Sequence, residues 1–204
     1  MPPSPDAPPS STPPSSTPAP YTPAPYSGAW WVVPGRLLAG PYPAGNDEES
    51  TREILAALLA AGLRSVINLT EEDEVNGDGE VPHIPAYEDA LEDMGEQQGA
   101  VIEIERFAIE EGTAPSADEM EMIIDAIDNE IDGRNSPTLL HCTSGNGRAW
   151  LVAGCYLARH GIAVGKDAVA RLKELRAGDP ALVAAKCPET IVQERFVSRW
   201  RQDQ

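Results

Sequence analysis

The sequence predicts an α/β fold in which a mostly parallel central sheet is flanked by helices on both faces. Short apolar segments of strand length alternate along the chain with segments of helical periodicity, which is typical of parallel sheets with crossover helices. A stripe of apolar residues at helical spacing follows Ser116, at Met120, Ile123, Ile124, Ile127 and Ile131, and indicates a core-facing helix. A glycine-bearing loop, residues 142–148, joins a buried strand to a helix. Such loops beyond strand ends are where α/β proteins bind ligands.

The N-terminal residues 1–28 lack the composition of a folded domain. They hold eleven of the twenty prolines and a single charged residue, Asp6. We therefore expect a disordered or polyproline-like tail rich in Pro, Ser and Thr, followed by one domain over residues 29–204. The tail has neither the basic nor the apolar region of a secretory signal, and we expect no membrane-spanning segment.

The first half of the domain begins with two short strands. In chain order, the pattern predicts strands over 30–33 and 36–40, a helix over 51–61, a strand over 64–69, a weakly amphipathic helix over 87–98 and a strand over 101–107. Residues 47–50 offer capping side chains for the first helix, and Gly62 ends it. We interpret the acidic run 71–74 as solvated loop charge rather than as functional carboxylates, and His83 as a solvated histidine.

In the second half of the domain, predicted helices also alternate with strands. Ser116 caps a helix that extends to about Ile131, and a strand over 138–141 leads into the 142–148 loop. Further helices are predicted over 149–160, 166–176 and 188–200, the last with a proline in its first turn. The loop after the 101–107 strand, residues 108–115, ends at the same edge of the predicted sheet as the 142–148 loop.

Charge and cysteine content indicate which partners are unsuitable and which cellular compartment is expected. The formal net charge is −18, and because the tail contributes almost none of it, the domain is strongly acidic. Nucleic acid and anionic membranes are poor partners for such a surface. The three cysteines, Cys142, Cys155 and Cys187, form no disulfide framework, so a reducing compartment is predicted and we expect a cytoplasmic protein. The oligomeric state is left open.

The 142–148 loop has the residues that phosphate chemistry requires. Cys142 opens it and Arg148 closes it, at the start of a helix whose first backbone amides are unpaired and carry the positive end of the helix dipole. That field and Arg148 favour the thiolate form of Cys142, which is the nucleophile. Gly145 and Gly147 permit the backbone to turn its amides inward. The loop is therefore predicted to bind a phosphoryl group.

The segment from His141 to Arg148, with sequence HCTSGNGR, resembles the signature of cysteine-dependent protein tyrosine and dual-specificity phosphatases. The stretches 31–40, 154–161 and 188–190 resemble bacterial members of the same superfamily. The resemblance implies a tyrosine-phosphatase-like fold and a two-step hydrolysis of phosphomonoesters through a phosphocysteine on Cys142, with no metal and no cofactor. It implies a phosphorylated protein or a small phosphoester as substrate.

The resemblance also assigns roles. Arg148 clamps the transition state, the amides of residues 143–148 (Thr143, Ser144, Gly145, Asn146, Gly147 and Arg148) bind the phosphoryl oxygens, and His141 supports the loop, or simply packs beneath it. The general acid of the family, an aspartate, falls on Glu111 when the chain is matched through Ile109 and Pro115. The Ser or Thr that follows the arginine in the family is Ala149, which predicts a slower second step.

Two alternatives remain open at this point. A catalytically impaired member would bind phosphorylated partners and shield them, and Ala149 and Glu111 favour it. Redox or arsenate chemistry at Cys142 would need a resolving thiol from Cys155 or Cys187.

Overall fold

The computed structural model describes residues 23–72, 74 and 87–201. Within them, five strands form one sheet in the order β1-β2-β5-β3-β4. The strands are β1 (Trp30–Val33), β2 (Leu37–Gly40), β3 (Ser65–Asn68), β4 (Glu103–Arg106) and β5 (Thr138–His141). Only the β1–β2 pair is antiparallel among these described strands; β2–β5, β5–β3 and β3–β4 are parallel. The predicted mostly parallel α/β sheet is confirmed.

Seven helices surround the sheet in the described part of the chain. They are α1 (Glu48–Ala60), α2 (Tyr87–Gln97), α3 (Ala117–Arg134), α4 (Arg148–Arg159), α5 (Lys166–Arg176), α6 (Pro180–Ala184) and α7 (Ile191–Arg199). The predicted caps of α1 and α3 are confirmed, since Asp47 and Ser116 each accept a hydrogen bond from the amide three residues on. No helix among the described residues is long and apolar enough to cross a membrane.

Several elements differ from the sequence prediction, α3, α6 and α7 among them. Helix α3 continues past Ile131 to Arg134 and stops at Asn135, whose φ of 49° is left-handed, a conformation that Asn tolerates better than most residues. The short helix α6 was not predicted. Helix α7 begins at Ile191 rather than at 188, because the Thr190 hydroxyl caps it by accepting from the Gln193 amide.

Part of the predicted tail, ahead of the expected domain start at residue 29, contacts the domain. Trp31 Nε1 donates to the Pro23 carbonyl at 3.3 Å, and the Tyr26 hydroxyl donates to the Pro41 carbonyl at 2.7 Å. Residues 23–28 therefore pack on the domain. The remainder of the predicted tail, residues 1–22, lies outside the described residues, as does His83.

The hydrophobic core is divided into two clusters, one on each face of the sheet, because side chains along a strand point alternately to the two faces. In β5, Leu139 belongs to an apolar cluster with α1 and α2, whereas Leu140 belongs to a larger cluster with α3, α4 and α5. Successive strand residues point to opposite faces, so a fully buried strand must be apolar on both. The prediction of helices on both faces is confirmed.

The parallel register brings the carboxyl ends of the strands to one edge. Gly40 and Asn68 both pair with His141, and Asn68 pairs with Arg106 on its other side. The segments that follow these four residues therefore start side by side, at the edge where α/β proteins place ligands. They are residues 41–44, 69–72, 107–116 and the 142–148 loop, which we call the phosphate loop.

Candidate active site

The phosphate loop turns sharply between β5 and α4. Cys142 follows β5 and is 1% exposed. Gly147 is the N-cap of α4 and supplies no capping side chain, so the first amides of the helix are available to an anion. Gly145 has φ 73°, and a Cβ atom there would lie 2.6 Å from the carbonyl carbon of Gly40. Only glycine fits this position, because both the backbone conformation and the space exclude a side chain.

Neighbouring segments hold the loop in place through its backbone and through Asn146. The Tyr42 amide donates to the Thr143 carbonyl at 3.0 Å. Arg176, which is 3% exposed, donates to Asn146 Oδ1 at 2.6 Å and to the Gly145 carbonyl at 3.5 Å. The guanidinium also lies 5.6 Å from the ring centroid of Trp30. A buried cation therefore sits directly behind the phosphate loop, where its field favours a bound anion.

Arg148 is almost completely buried and donates five hydrogen bonds. Its Nη1 donates to the carbonyls of Leu69 at 3.3 Å and Ile109 at 2.9 Å, and to Glu74 Oε2 at 2.5 Å. Its Nη2 donates to Glu74 Oε1 at 2.5 Å and to the Thr143 hydroxyl at 3.0 Å. The guanidinium thus joins the loops that follow β3, β4 and β5. Within the described residues its Nε–H donates to no acceptor.

Glu74 corrects one sequence prediction. The run 71–74 was interpreted as solvated loop charge, and this was wrong for Glu74, which forms a bidentate ion pair with Arg148 and accepts from the Thr143 hydroxyl. Burial raises the pKa of the Glu74 carboxyl, but hydrogen bonds from Arg148 and Thr143 outweigh burial and hold that pKa below its usual value. Glu74 is therefore ionised at neutral pH. It is a poor proton donor.

His141 lies beneath the loop as a neutral imidazole. Its Nε2 is 2.7 Å from the Tyr87 hydroxyl and its Nδ1 is 3.3 Å from the Cys142 carbonyl oxygen. These partners assign the proton to Nδ1, which donates to the carbonyl, while Tyr87 donates to Nε2. Burial lowers the pKa of His141 to about 3. The ring therefore supports the loop through hydrogen bonds rather than through a positive charge.

Glu111 lies on the loop after β4, with its side chain exposed. It lines the same cavity as Thr143 of the phosphate loop. Burial lowers the pKa of Arg148, but the hydrogen bonds to Glu74 and the nearby negative charges, with a smaller contribution from Glu111, outweigh burial and raise that pKa. The adjacent Glu110 does not line that cavity. The loop is held at both ends, since the Ile109 carbonyl accepts from Arg148 and the Gly112 carbonyl accepts from the Thr190 hydroxyl at 2.9 Å. Geometry therefore favours Glu111 over Glu110 as a group that reaches the phosphate loop.

A family comparison identifies this arrangement. Residues 27–185 match the family described as Swiss Army Knife protein, DSP-PTPase phosphatase domain. The chain belongs to this family. The match spans most of the chain and includes Cys142, Arg148 and Glu111. The predicted membership of the cysteine-dependent dual-specificity phosphatase superfamily is confirmed.

Solved phosphatases share the fold at low sequence identity. Tk-PTP in its active form is 22% identical, with a TM-score of 0.56, and the match covers 82% of this chain and 92% of that chain. Kinase associated phosphatase is 19% identical, with a TM-score of 0.60, covering 79% and 83%. PTPMT1 in complex with PI(5)P is 14% identical, with a TM-score of 0.55, covering 83% and 94%. These likenesses establish the phosphatase fold.

Sequence reasoning missed several groups around the phosphate loop. Besides Glu74 and Arg176, Glu189 accepts a hydrogen bond from the Ser144 hydroxyl and packs against Gly147, and the buried Gln193 amide also faces Gly147. Glu189 follows Pro188 in a stretch whose resemblance to the superfamily was evident, but spacing alone did not bring it to the loop. Two carboxylates, Glu74 and Glu189, thus accept hydrogen bonds from the loop hydroxyls. Arg148 pairs with Glu74, and Arg176 contacts the loop at Asn146.

The other two cysteines are poor resolving thiols. Cys155 is fully buried in α4, and burial raises its pKa well above the usual value. Cys187 approaches the loop and its thiol donates to the Asn146 carbonyl at 3.2 Å, but burial raises its pKa to about 12. Both thiols are protonated at neutral pH, which disfavours attack on an oxidised Cys142. No cluster of His, Cys, Asp and Glu in the described parts of the chain could hold a metal ion.

Proposed function

We propose that the protein is a cytoplasmic phosphatase that hydrolyses phosphomonoesters through a phosphocysteine on Cys142, using a domain over residues 29–204. The observation that carries the proposal is the phosphate loop itself. It places Cys142 and Arg148 at the uncapped N-terminus of α4, with Gly145 pressed against the backbone of the neighbouring segment. Phosphorylated protein or a small phosphoester is the proposed substrate class, and nucleic acid is not a partner.

The first step transfers the phosphoryl group to sulfur. The Cys142 thiolate attacks phosphorus, an S–P bond forms and the ester O–P bond breaks. Loop amides from residues 143–148 and the Nε–H of Arg148 bind the phosphoryl oxygens. Because Glu74 pairs with both Nη1 and Nη2 of Arg148, it orients the guanidinium and leaves the Nε–H for this contact. Glu111 protonates the leaving oxygen, which is the role that its position on the cavity wall supports.

The second step returns the enzyme to its starting state. Glu111, now a carboxylate, takes a proton from a water molecule that attacks phosphorus, so the S–P bond breaks and inorganic phosphate leaves. The departing Cys142 thiolate gains no hydroxyl donor from residue 149, because Ala149 has no hydroxyl group. Loss of one hydrogen bond to a developing charge slows this step by about 10- to 100-fold.

Hydrolysis of aryl phosphates tests the proposal. We expect turnover of phenyl phosphate and p-nitrophenyl phosphate by the full chain in the presence of a chelator, and no turnover by Cys142→Ser. Glu111→Gln is expected to reduce kcat by about 100-fold or more on phenyl phosphate, and less on p-nitrophenyl phosphate, whose leaving group needs less protonation. Glu110→Gln is the matched control, with wild-type rates expected. Equal losses in the two glutamate variants would contradict the role of Glu111.

A catalytically impaired phosphatase that binds phosphorylated partners is the second candidate. Two observations favour it: the bidentate pairing of Arg148 with Glu74, and the absence of a hydroxyl at Ala149. Rapid mixing separates the two candidates. One burst of product and a trapped phosphocysteine indicate an enzyme with slow dephosphorylation, whereas tight phosphopeptide binding without a burst indicates a binder.

A further inference from the structure

A cavity of about 820 Å³ lies beside the phosphate loop. It is lined by Thr143 of the phosphate loop, by Glu111 and by residues of helix α1, so the part of a substrate beyond the phosphoryl group can extend into it. Its walls come from the segment before β1, the segment after β2, and α1. The lining residues are Pro25, Tyr26, Ser27, Pro41, Tyr42, Ala44, Glu53, Ile54, Glu111 and Thr143.

The chemistry of these walls is aromatic, apolar and acidic. Tyr26 and Tyr42 offer ring surfaces, and prolines and Ile54 add apolar area. Two carboxylates, Glu53 and Glu111, face the cavity, and neither Lys nor Arg is among the described residues that line it. Such walls suit a flat hydrophobic group bearing the phosphate. They disfavour a second phosphate, since its charge would meet carboxylates without a cation.

Glu53 is free to pair with a ligand. It is exposed on α1 and, among the described residues, is found in no ion pair. Arg52, its neighbour on α1, does not line this cavity, although both residues line a second depression on α1. Glu111 is needed for proton transfer, so Glu53 is the carboxylate that remains to recognise a positive charge.

We propose, on the basis of the phosphatase function proposed above, that the preferred substrate is a phosphotyrosyl segment of a protein with a Lys or Arg next to the phosphorylated residue. The substrate ring contacts Tyr26 and Tyr42, and the adjacent cation faces Glu53. The net charge of −18 acts in the same direction, because it attracts basic segments and repels acidic ones. Inositol polyphosphates and acidic phosphopeptides are disfavoured for the same reason.

Binding to matched phosphotyrosyl peptides tests this specificity without requiring turnover. The full chain carrying Cys142→Ser is titrated with two peptides that differ only in Arg or Glu at the positions flanking phosphotyrosine. We expect the Arg peptide to bind about two- to fivefold more tightly for each charge that pairs. Adding Glu53→Lys to the same background should abolish or reverse this preference, and raising the salt concentration should weaken it.

Asp167→Lys is the matched control, because it makes the same change in net charge elsewhere. Asp167 is an exposed residue in the first turn of α5. Helix α5 follows the far end of α4, roughly 18 Å along that 12-residue helix from the phosphate loop. Asp167→Lys should leave the Arg-to-Glu affinity ratio nearly unchanged. A shift equal to that of Glu53→Lys would overturn the proposal, because it would show only a long-range field, and tighter binding of an inositol polyphosphate would also overturn it.

The outcome also separates this proposal from the phosphatase function itself. Hydrolysis of p-nitrophenyl phosphate by the unmodified chain, without a preference between the two peptides, refutes the substrate specificity alone. A charge preference that Glu53→Lys reverses, in a chain that shows neither hydrolysis nor a burst, refutes the catalytic function and leaves the cavity as a binding site of the stated chemistry.

Discussion

Replacing Arg148 by lysine removes the guanidinium that joins three loops at the edge of the sheet. Arg148 donates five hydrogen bonds, whereas a lysine ammonium has three N–H donors and no planar fork. At least two acceptors are then left without a donor. Because hydrogen bonds that involve a charged group contribute about 1.5–3 kcal/mol each, we expect the free energy of unfolding to fall by about 3 kcal/mol.

The same substitution should weaken oxyanion binding by at least about 10-fold, since it removes the Nε–H that we propose binds a phosphoryl oxygen, and a charged hydrogen bond contributes about 1.5–3 kcal/mol. Tungstate titration by calorimetry measures the affinity, chemical denaturation measures the free energy of unfolding, and aryl phosphate kinetics measure kcat/KM. Arg159→Lys is the control, because Arg159 makes only an exposed pair with Asp125 at 2.6 Å. Wild-type tungstate affinity in Arg148→Lys would refute the assignment of Arg148 as the anion clamp.

Three further predictions concern the phosphate loop, Ala149 behind it and His141 beneath it. Gly145→Ala should abolish tungstate binding and lower the melting temperature sharply. Gly35→Ala is the control: Gly35 also has a positive φ, 70°, but lies in open space, so chemical denaturation should show a loss of only about 1–2 kcal/mol in the free energy of unfolding. Ala149→Ser should speed decay of the phosphocysteine by about 10-fold or more in single-turnover kinetics, because serine restores a hydroxyl with little added volume; an unchanged rate would show that residue 149 does not control this step. Because the folded-state pKa of His141 is about 3, below the unfolded value of ~6.5, the unfolded chain binds more protons between these values. The free energy of unfolding should thus fall as pH drops through this window, by up to ~1.4 kcal/mol per pH unit, and denaturation of His141→Gln should show a shallower slope.

Much of the fold was predictable because it depends on local patterns. The apolar stripe of α3, the caps at Asp47 and Ser116, and the buried strand before Cys142 each follow from short-range spacing. The ends of the elements were predicted less accurately, since the end of α3 at Asn135 and the start of α7 after Thr190 depend on single capping residues. The proposed roles of Cys142 and Arg148 could be derived from the loop sequence, because both residues belong to the same seven-residue segment.

The residues that contact this segment in the folded protein could not be predicted in this way. Glu74, Arg176 and Glu189 lie far from the phosphate loop in sequence, and spacing along the chain does not bring any of them to it. The pairing of Glu74 with Arg148 requires the parallel register of β3 and β5, which aligns Asn68 with His141 and so starts their loops side by side.

The sequence by itself determined the α/β class, the phosphate loop and the absence of a serine or threonine after Arg148. Tertiary structure alone decided which carboxylates surround the loop and that His141 is neutral, and it showed that Glu111, which the resemblance had already indicated, lines a cavity with Thr143. The physical reason is the range of each effect. A helix N-terminus and its anion loop are set by contiguous residues, whereas the charge balance at an anion site is a sum over groups that only folding brings within hydrogen-bonding distance.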